Sequence, residues 1–149
     1  MRVFFDTNVL VSAFLARGLC ADLLRLVLTE HTLVTSEVVL TELRDVLRRK
    51  GRLPAQQIEA IELFLRDQPV AARPAQSLEL GLVDGYDEWV VASAVLAQAD
   101  LFVTGDQGVL ACKKPPLPLV NPRGCWEQLR DSSQSLGGVP AVTGDVFPN

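Results

Sequence analysis

The sequence is poor in the residues that many familiar chemistries require. It holds a single histidine, His31, which excludes any scheme needing a pair of them. Its three cysteines, Cys20, Cys112 and Cys125, are far apart and odd in number. That argues against a disulfide framework or a paired-cysteine zinc site, and leads to an expectation of reduced thiols in a cytoplasm. No apolar run reaches the roughly 18 residues that a membrane span needs, so no membrane association is expected. The opening Val3-Phe4-Phe5-Asp6 lacks the basic start, apolar stretch and small-residue cleavage site of a secretory leader. Excess positive charge is also missing: 14 Lys and Arg stand against 18 Asp and Glu, a net charge of −4. Proteins that bind nucleic acid broadly are usually basic, because phosphate neutralisation drives affinity. The deficit weighs less against an enzyme whose acids collect cations, since bound ions restore positive charge locally.

What remains is an ordinary globular composition. The chain has 149 residues, 48% hydrophobic and 21% charged. That fits one domain with one core. Strand-like runs are expected at Arg2–Phe5, Thr32–Thr35, Val70–Arg73, Leu101–Thr104 and Leu117–Val120. Helical spacing or capping is expected over Val9–Ala16, Cys20–Glu30, Ser36–Lys50, Pro54–Asp67 and Asp87–Ala99, and after Asn121-Pro122. Strands alternating with helices imply an α/β fold, a three-layer sandwich around a central parallel sheet. Ligands bind such sheets beyond the carboxyl ends of the strands. The domain is expected over residues 1–131. Ser132 to Asn149, rich in Ser, Gly and Pro without apolar periodicity, reads as a flexible tail.

Four acids fall where that topology would gather them. Asp6 closes the first strand, and Asp106 follows the Leu101-Phe102-Val103-Thr104-Gly105 run. Glu42 lies at the border of the apolar stripe formed by Val39, Leu43, Val46 and Leu47. Asp87 opens the helix leading to the Asp106 strand. Alone, each acid has a plain explanation as a cap, a turn residue or a solvated charge. Together they would repel one another and raise each other's pKa. Divalent cations with oxygen preference, magnesium or manganese, relieve that conflict. A pair of such ions can clamp an in-line phosphoryl displacement.

Phe4-Phe5-Asp6-Thr7-Asn8-Val9-Leu10 resembles the opening of PIN domains. Thr41-Glu42-Leu43 resembles the segment with their second acid, and Asp87-Glu88-Trp89-Val90-Val91-Ala92-Ser93-Ala94 the helix with their third. Val103-Thr104-Gly105-Asp106 resembles the strand end with their fourth. Val120-Asn121-Pro122-Arg123 and Trp126 resemble their last strand and helix. The likeness runs over about residues 2–130. It implies a magnesium- or manganese-dependent endoribonuclease, with Asp6, Glu42, Asp87 and Asp106 as catalytic metal ligands. It also implies that Thr7 or Asn8 orients Asp6 and that Thr104 supports the site. The subgroup it is most similar to is the toxins of VapBC-type toxin–antitoxin pairs. For that subgroup an antitoxin partner and a homodimer are implied.

Two features depart from the pattern. Asp84 precedes Asp87 and could be the third acid instead; the distance from Asp87 to Ala92 and Ala94 favours Asp87. Val142-Thr143-Gly144-Asp145 repeats the strand-end string within the tail, between prolines, and reads as coincidence. For RNA, Arg48 and Arg49 belong to the densest basic run, and Arg49 shares a helical face with Glu42. The plain alternative is a helix-ending cluster that complements the dipole. Two other functions compete. One is a catalytically silent PIN-fold module binding nucleic acid or protein. The other is a haloacid-dehalogenase-like phosphatase, which also starts from a strand and an Asp. That enzyme needs a second Asp two residues later, where this chain has Asn8.

Overall fold

The computed structural model describes residues 1–137, with side chains described to Asp131. The order of elements is β1 (Arg2–Phe5), α1 (Thr7–Leu15), α2 (Leu19–Glu30), β2 (Thr32–Ser36), α3 (Glu37–Arg49) and α4 (Ala55–Arg66). It continues with β3 (Val70–Ala71), α5 (Gly85–Leu96), β4 (Leu101–Val103), α6 (Gln107–Leu110), β5 (Leu119–Val120) and α7 (Pro122–Gly137). The five strands form one parallel sheet in the order β3-β2-β1-β4-β5. Helices flank it, giving the expected three-layer α/β sandwich.

The centre of the sheet is dry because its residues are apolar on both faces, as central parallel strands must be. Val3, Phe4 and Phe5 have no exposed surface. Phe4 stacks on Phe102 of the neighbouring strand, with ring centroids 5.4 Å apart. Each large side chain buried in this way contributes about 1.5–3 kcal/mol. Register is continuous from Phe4↔Val34 on one side to Phe4↔Phe102 on the other. The carboxyl ends of β2, β1 and β4 therefore reach a common edge. At the opposite edge, Arg2 is tied to the end of α5 through Ala97 O, at 2.8 Å. Cys20, Cys112 and Cys125 are free. Among the described residues, no helix is long and apolar enough to cross a membrane.

Several boundaries differ from expectation for identifiable reasons. α1 starts at Thr7 instead of Val9, because Asp6 serves both as the strand end and as the N-cap, accepting from Thr7 N. α5 starts at Gly85, capped by Asp84, so Asp87 lies inside its first turn. Pro54 is the N-cap of α4, not its first residue. α6, which follows Asp106, was not expected, being too short to show helical periodicity. α7 runs on to Gly137, into the stretch assigned to a tail. A helix already nucleated at Asn121-Pro122 adds one hydrogen bond per residue and needs no apolar stripe to propagate. The rest of that stretch, including Val142-Thr143-Gly144-Asp145, lies outside the described residues.

Candidate active site

Asp6 is the pivot of the rim. The backbone of β1 hands its amide to Val103 O at 2.9 Å, which fixes Asp6 beside the end of β4. Its Oδ1 accepts from Thr7 N at 2.8 Å, and its Oδ2 accepts from the Thr104 hydroxyl at 2.7 Å. Thr104 is itself fully buried, and its hydroxyl also accepts from Asp106 N at 3.1 Å. One hydroxyl thus couples the two strand-end acids. Asn8 is exposed, and among the described residues it makes no hydrogen bond to Asp6. Orientation therefore falls to the backbone of Thr7 and the side chain of Thr104.

Asp106 caps α6. Its Oδ1 accepts from Gly108 N at 2.8 Å and Val109 N at 3.3 Å, leaving Oδ2 uncommitted among the described residues. Glu42 is half-buried on α3. The Thr7 hydroxyl acts to lower its pKa, yet that buried hydroxyl makes no well-formed hydrogen bond. Asp87 is half-buried on α5, whereas Asp84 is exposed and occupied in accepting from Tyr86 N at 2.9 Å.

The electrostatics show which of these groups share a space. Burial pushes the Asp6 carboxyl up, partly offset by Thr104 and Thr7, and Asp106 pushes it further. Burial also raises Glu42, with Asp6, Asp84 and Asp45 adding to the effect. Asp87 is raised to about 6, by burial and then by Asp84, Asp6, Asp106 and Glu42. Asp6, Glu42 and Asp106 thus each act on another of the four sequence-derived acids, and all three act on Asp87, with Asp84 at the edge of the group. No basic side chain figures among the causes for Asp6, Glu42 or Asp87.

This donor set has the chemistry for a hard divalent cation: carboxylates only, with no compensating arginine or lysine. Among the described residues, however, no three His, Cys, Asp or Glu side chains are placed so as to grip an ion. Closing on a cation would require the freer carboxyls, Glu42, Asp87 and Asp106, to turn inward, while Asp6 is already held by its donors.

Other residues of the site gave no signal in the sequence. The Tyr86 hydroxyl donates to Val38 O at 2.9 Å, fastening the start of α5 to α3. Ser93 Oγ lies 2.8 Å from Ser36 Oγ, both without exposed surface, which joins the same two layers deeper in the core. Glu88 accepts from Leu80 N at 2.7 Å and Leu82 N at 3.2 Å, strapping the loop that leads to Asp84. Arg48 and Arg49 both pair with Asp45, at 2.9 and 2.6 Å, as a helix-ending cluster does. With Glu42 they also line a groove of about 510 Å³.

Comparison with known proteins gives a consistent picture. Residues 2–108 match the family model described as a PIN domain. No curated protein matches the sequence. Among solved structures, the chain resembles a crystal structure of VapBC2 from Rickettsia felis bound to a DNA fragment from their promoter. The TM-score is 0.61 at 21% identity, over 81% of this chain and 98% of that one. At that identity the likeness is one of fold.

Proposed function

The chain belongs to the PIN-domain family, and from that premise we propose that it is a divalent-metal-dependent endoribonuclease hydrolysing RNA phosphodiester bonds. Membership in that family removes the phosphatase alternative. The observation that carries the proposal is the Thr104 hydroxyl joining the strand-end acids Asp6 and Asp106, beside Asp87, whose carboxyl is raised to about 6 by burial and by Asp84, Asp6, Asp106 and Glu42. A cluster that costs stability when charged is tolerated where cations complete it.

In this proposal Asp6, Glu42, Asp87 and Asp106 hold magnesium or manganese. Bound there, such ions supply Lewis acidity at the phosphate and a lowered pKa for the attacking water. The chain's own part is positioning. Thr104 and the Thr7 amide hold both Asp6 oxygens in place. Asp106 is set by α6, with Oδ2 left available. Glu42 and Asp87 come from two helices joined by Tyr86 and by the Ser36–Ser93 contact. Asp84 acts as the helix cap.

We further propose that the protein is the toxin half of a toxin–antitoxin pair. The Rickettsia felis neighbour is a VapBC2 assembly, and this chain covers nearly all of the matched partner's length. Leu63 and Phe64 of α4 are exposed, at 60% and 40%, as is Leu15 at the end of α1. Such apolar surface suits a covering partner, an antitoxin or a second copy in a homodimer.

The test is cleavage of a labelled RNA with manganese or magnesium, with and without chelator, by wild type, Asp6→Asn and Asp106→Asn. Metal-dependent cleavage lost in both variants supports the nuclease. Equal cleavage by all three would mean contamination. Absence of cleavage by wild-type protein, with RNA still bound, would favour the silent binding module.

A further inference from the structure

The groove beside the rim points to a substrate contact that the four acids do not supply. Glu42 stands in its wall and is the one acid of the four that the groove shares with the site, and Arg44, Asp45, Arg48, Arg49 and Arg73 line it with Tyr86. Three of those arginines are engaged. Arg44 forks onto Glu62, with contacts of 2.6–2.9 Å. Arg48 and Arg49 share Asp45. Arg73 is exposed and, among the described residues, has no hydrogen bond or ion pair. Glu37, a carboxylate that feels its charge, is already held by both terminal nitrogens of Arg66, at 2.8 and 2.9 Å.

The topology explains why a free cation sits there. Arg73 follows β3, whose carboxyl end lies on the same edge of the parallel sheet as those of β1 and β4. Only β2 separates β3 from β1, so the two strand ends lie about 10 Å apart, two interstrand spacings. A guanidinium on a long stem at that distance can meet a phosphate adjoining one held at the acids. Its planar fork of donors matches phosphate oxygens, and it stays charged at any working pH.

We propose that Arg73 binds the RNA backbone at a phosphate flanking the one that is cut, and so directs the strand into this groove. The assignment rests on the ribonuclease function proposed above. Arg73 is a substrate-positioning residue that stays clear of the cation cluster, and its loss acts on RNA and not on metal.

The experiment compares wild type with Arg73→Ala, Arg73→Lys and Arg17→Ala. Arg17 is exposed and does not line the groove, so it serves as the charge-matched control. A fluorescein-labelled single-stranded RNA is the probe for manganese-dependent cleavage over a salt series, and manganese-induced thermal stabilisation is read in parallel. Losing one charge-assisted phosphate contact should raise KM roughly tenfold. The slope of log affinity against log salt should fall by about 0.7. Arg73→Lys should recover much of the affinity, Arg17→Ala should match wild type, and the manganese stabilisation of Arg73→Ala should be unchanged. The proposal is overturned if wild type cuts RNA while Arg73→Ala keeps the same KM and salt slope. It is equally overturned if Arg73→Ala also loses the manganese stabilisation, which would reveal a structural role. Failure of wild type itself to cut RNA would instead remove the underlying function.

Discussion

The Thr104 hydroxyl donates to Asp6 Oδ2 at 2.7 Å across 98 residues of sequence, both residues being buried. The Thr104 Oγ1 in turn accepts from Asp106 N at 3.1 Å. The sheet register makes this possible: Phe5 pairs with Val103, so the residues that follow them emerge side by side.

Thr104→Val keeps the shape but removes the donor. It should cost about 1–3 kcal/mol in urea unfolding, because a buried Asp6 oxygen loses its partner. RNA cleavage should fall as well, and Thr104→Ser should retain most of both. A valine variant with wild-type stability and activity would show that the hydroxyl does not hold Asp6.

The metal-free protein should lose stability as pH rises. A carboxyl whose folded pKa is raised binds protons more tightly when folded than when unfolded. Its contribution is present in full below the unfolded value, ordinarily 3.8 for Asp87, and is lost as pH passes through about 6. Asp6 and Glu42 shift in the same direction. Glu37 and Glu62 shift the opposite way through Arg66 and Arg44, but their contribution is gained at lower pH, around the normal carboxylate range. The melting temperature in chelator should therefore drop chiefly between about pH 4 and about pH 6, and Asp87→Asn should flatten that drop. Manganese should reverse it at neutral pH by binding the folded state alone. An identical drop in wild type and Asp87→Asn would contradict the assignment.

Ser93 fits against Ser36 without exposed surface, where α5 meets the junction of β2 and α3. Ser93→Val should overpack this contact and destabilise by about 1–3 kcal/mol. It should also weaken manganese affinity, since the helices carrying Asp87 and Glu42 would be wedged apart. Ser93→Ala should cost less and leave manganese affinity near wild type. Calorimetric titration of manganese into both variants separates the two effects.

Glu88 holds the loop before α5 by accepting two of its amides. Glu88→Ala should speed hydrogen exchange at Leu80 and Leu82 selectively, with the core amides of β1 and β4 unchanged. Uniform acceleration across the chain would point to global destabilisation instead.

Much of this was legible in the sequence because it depends on local runs. Val3-Phe4-Phe5 before Asp6 and Leu101-Phe102-Val103 before Asp106 mark two buried parallel strands, and the topology then sends both acids to one edge. Boundaries were less legible where one residue has two roles, as Asp6 does. α6 was missed because one turn of helix shows no periodicity. Arg49 shares a helical face with Glu42, but its i, i+4 spacing from Asp45, like the i, i+3 spacing of Arg48, equally allows the surface ion pairs that the structure shows. Arg44 meets Glu62 and Glu37 meets Arg66 only once α3 and α4 have packed. For that reason Arg73, the arginine left over, could not be singled out beforehand. A basic residue just past the carboxyl end of a parallel strand was the one available signal.

Whether Asp6, Glu42, Asp87 and Asp106 together hold a cation is tested most directly by anomalous diffraction from crystals grown with manganese. At least one anomalous peak is expected at the rim, within ligand distance of Asp6 and of carboxylates from α3, α5 or the β4 end, and absent in Asp6→Asn crystals. A saturating manganese soak that leaves the rim without a peak, the carboxyls still apart and charged at neutral pH, would contradict it.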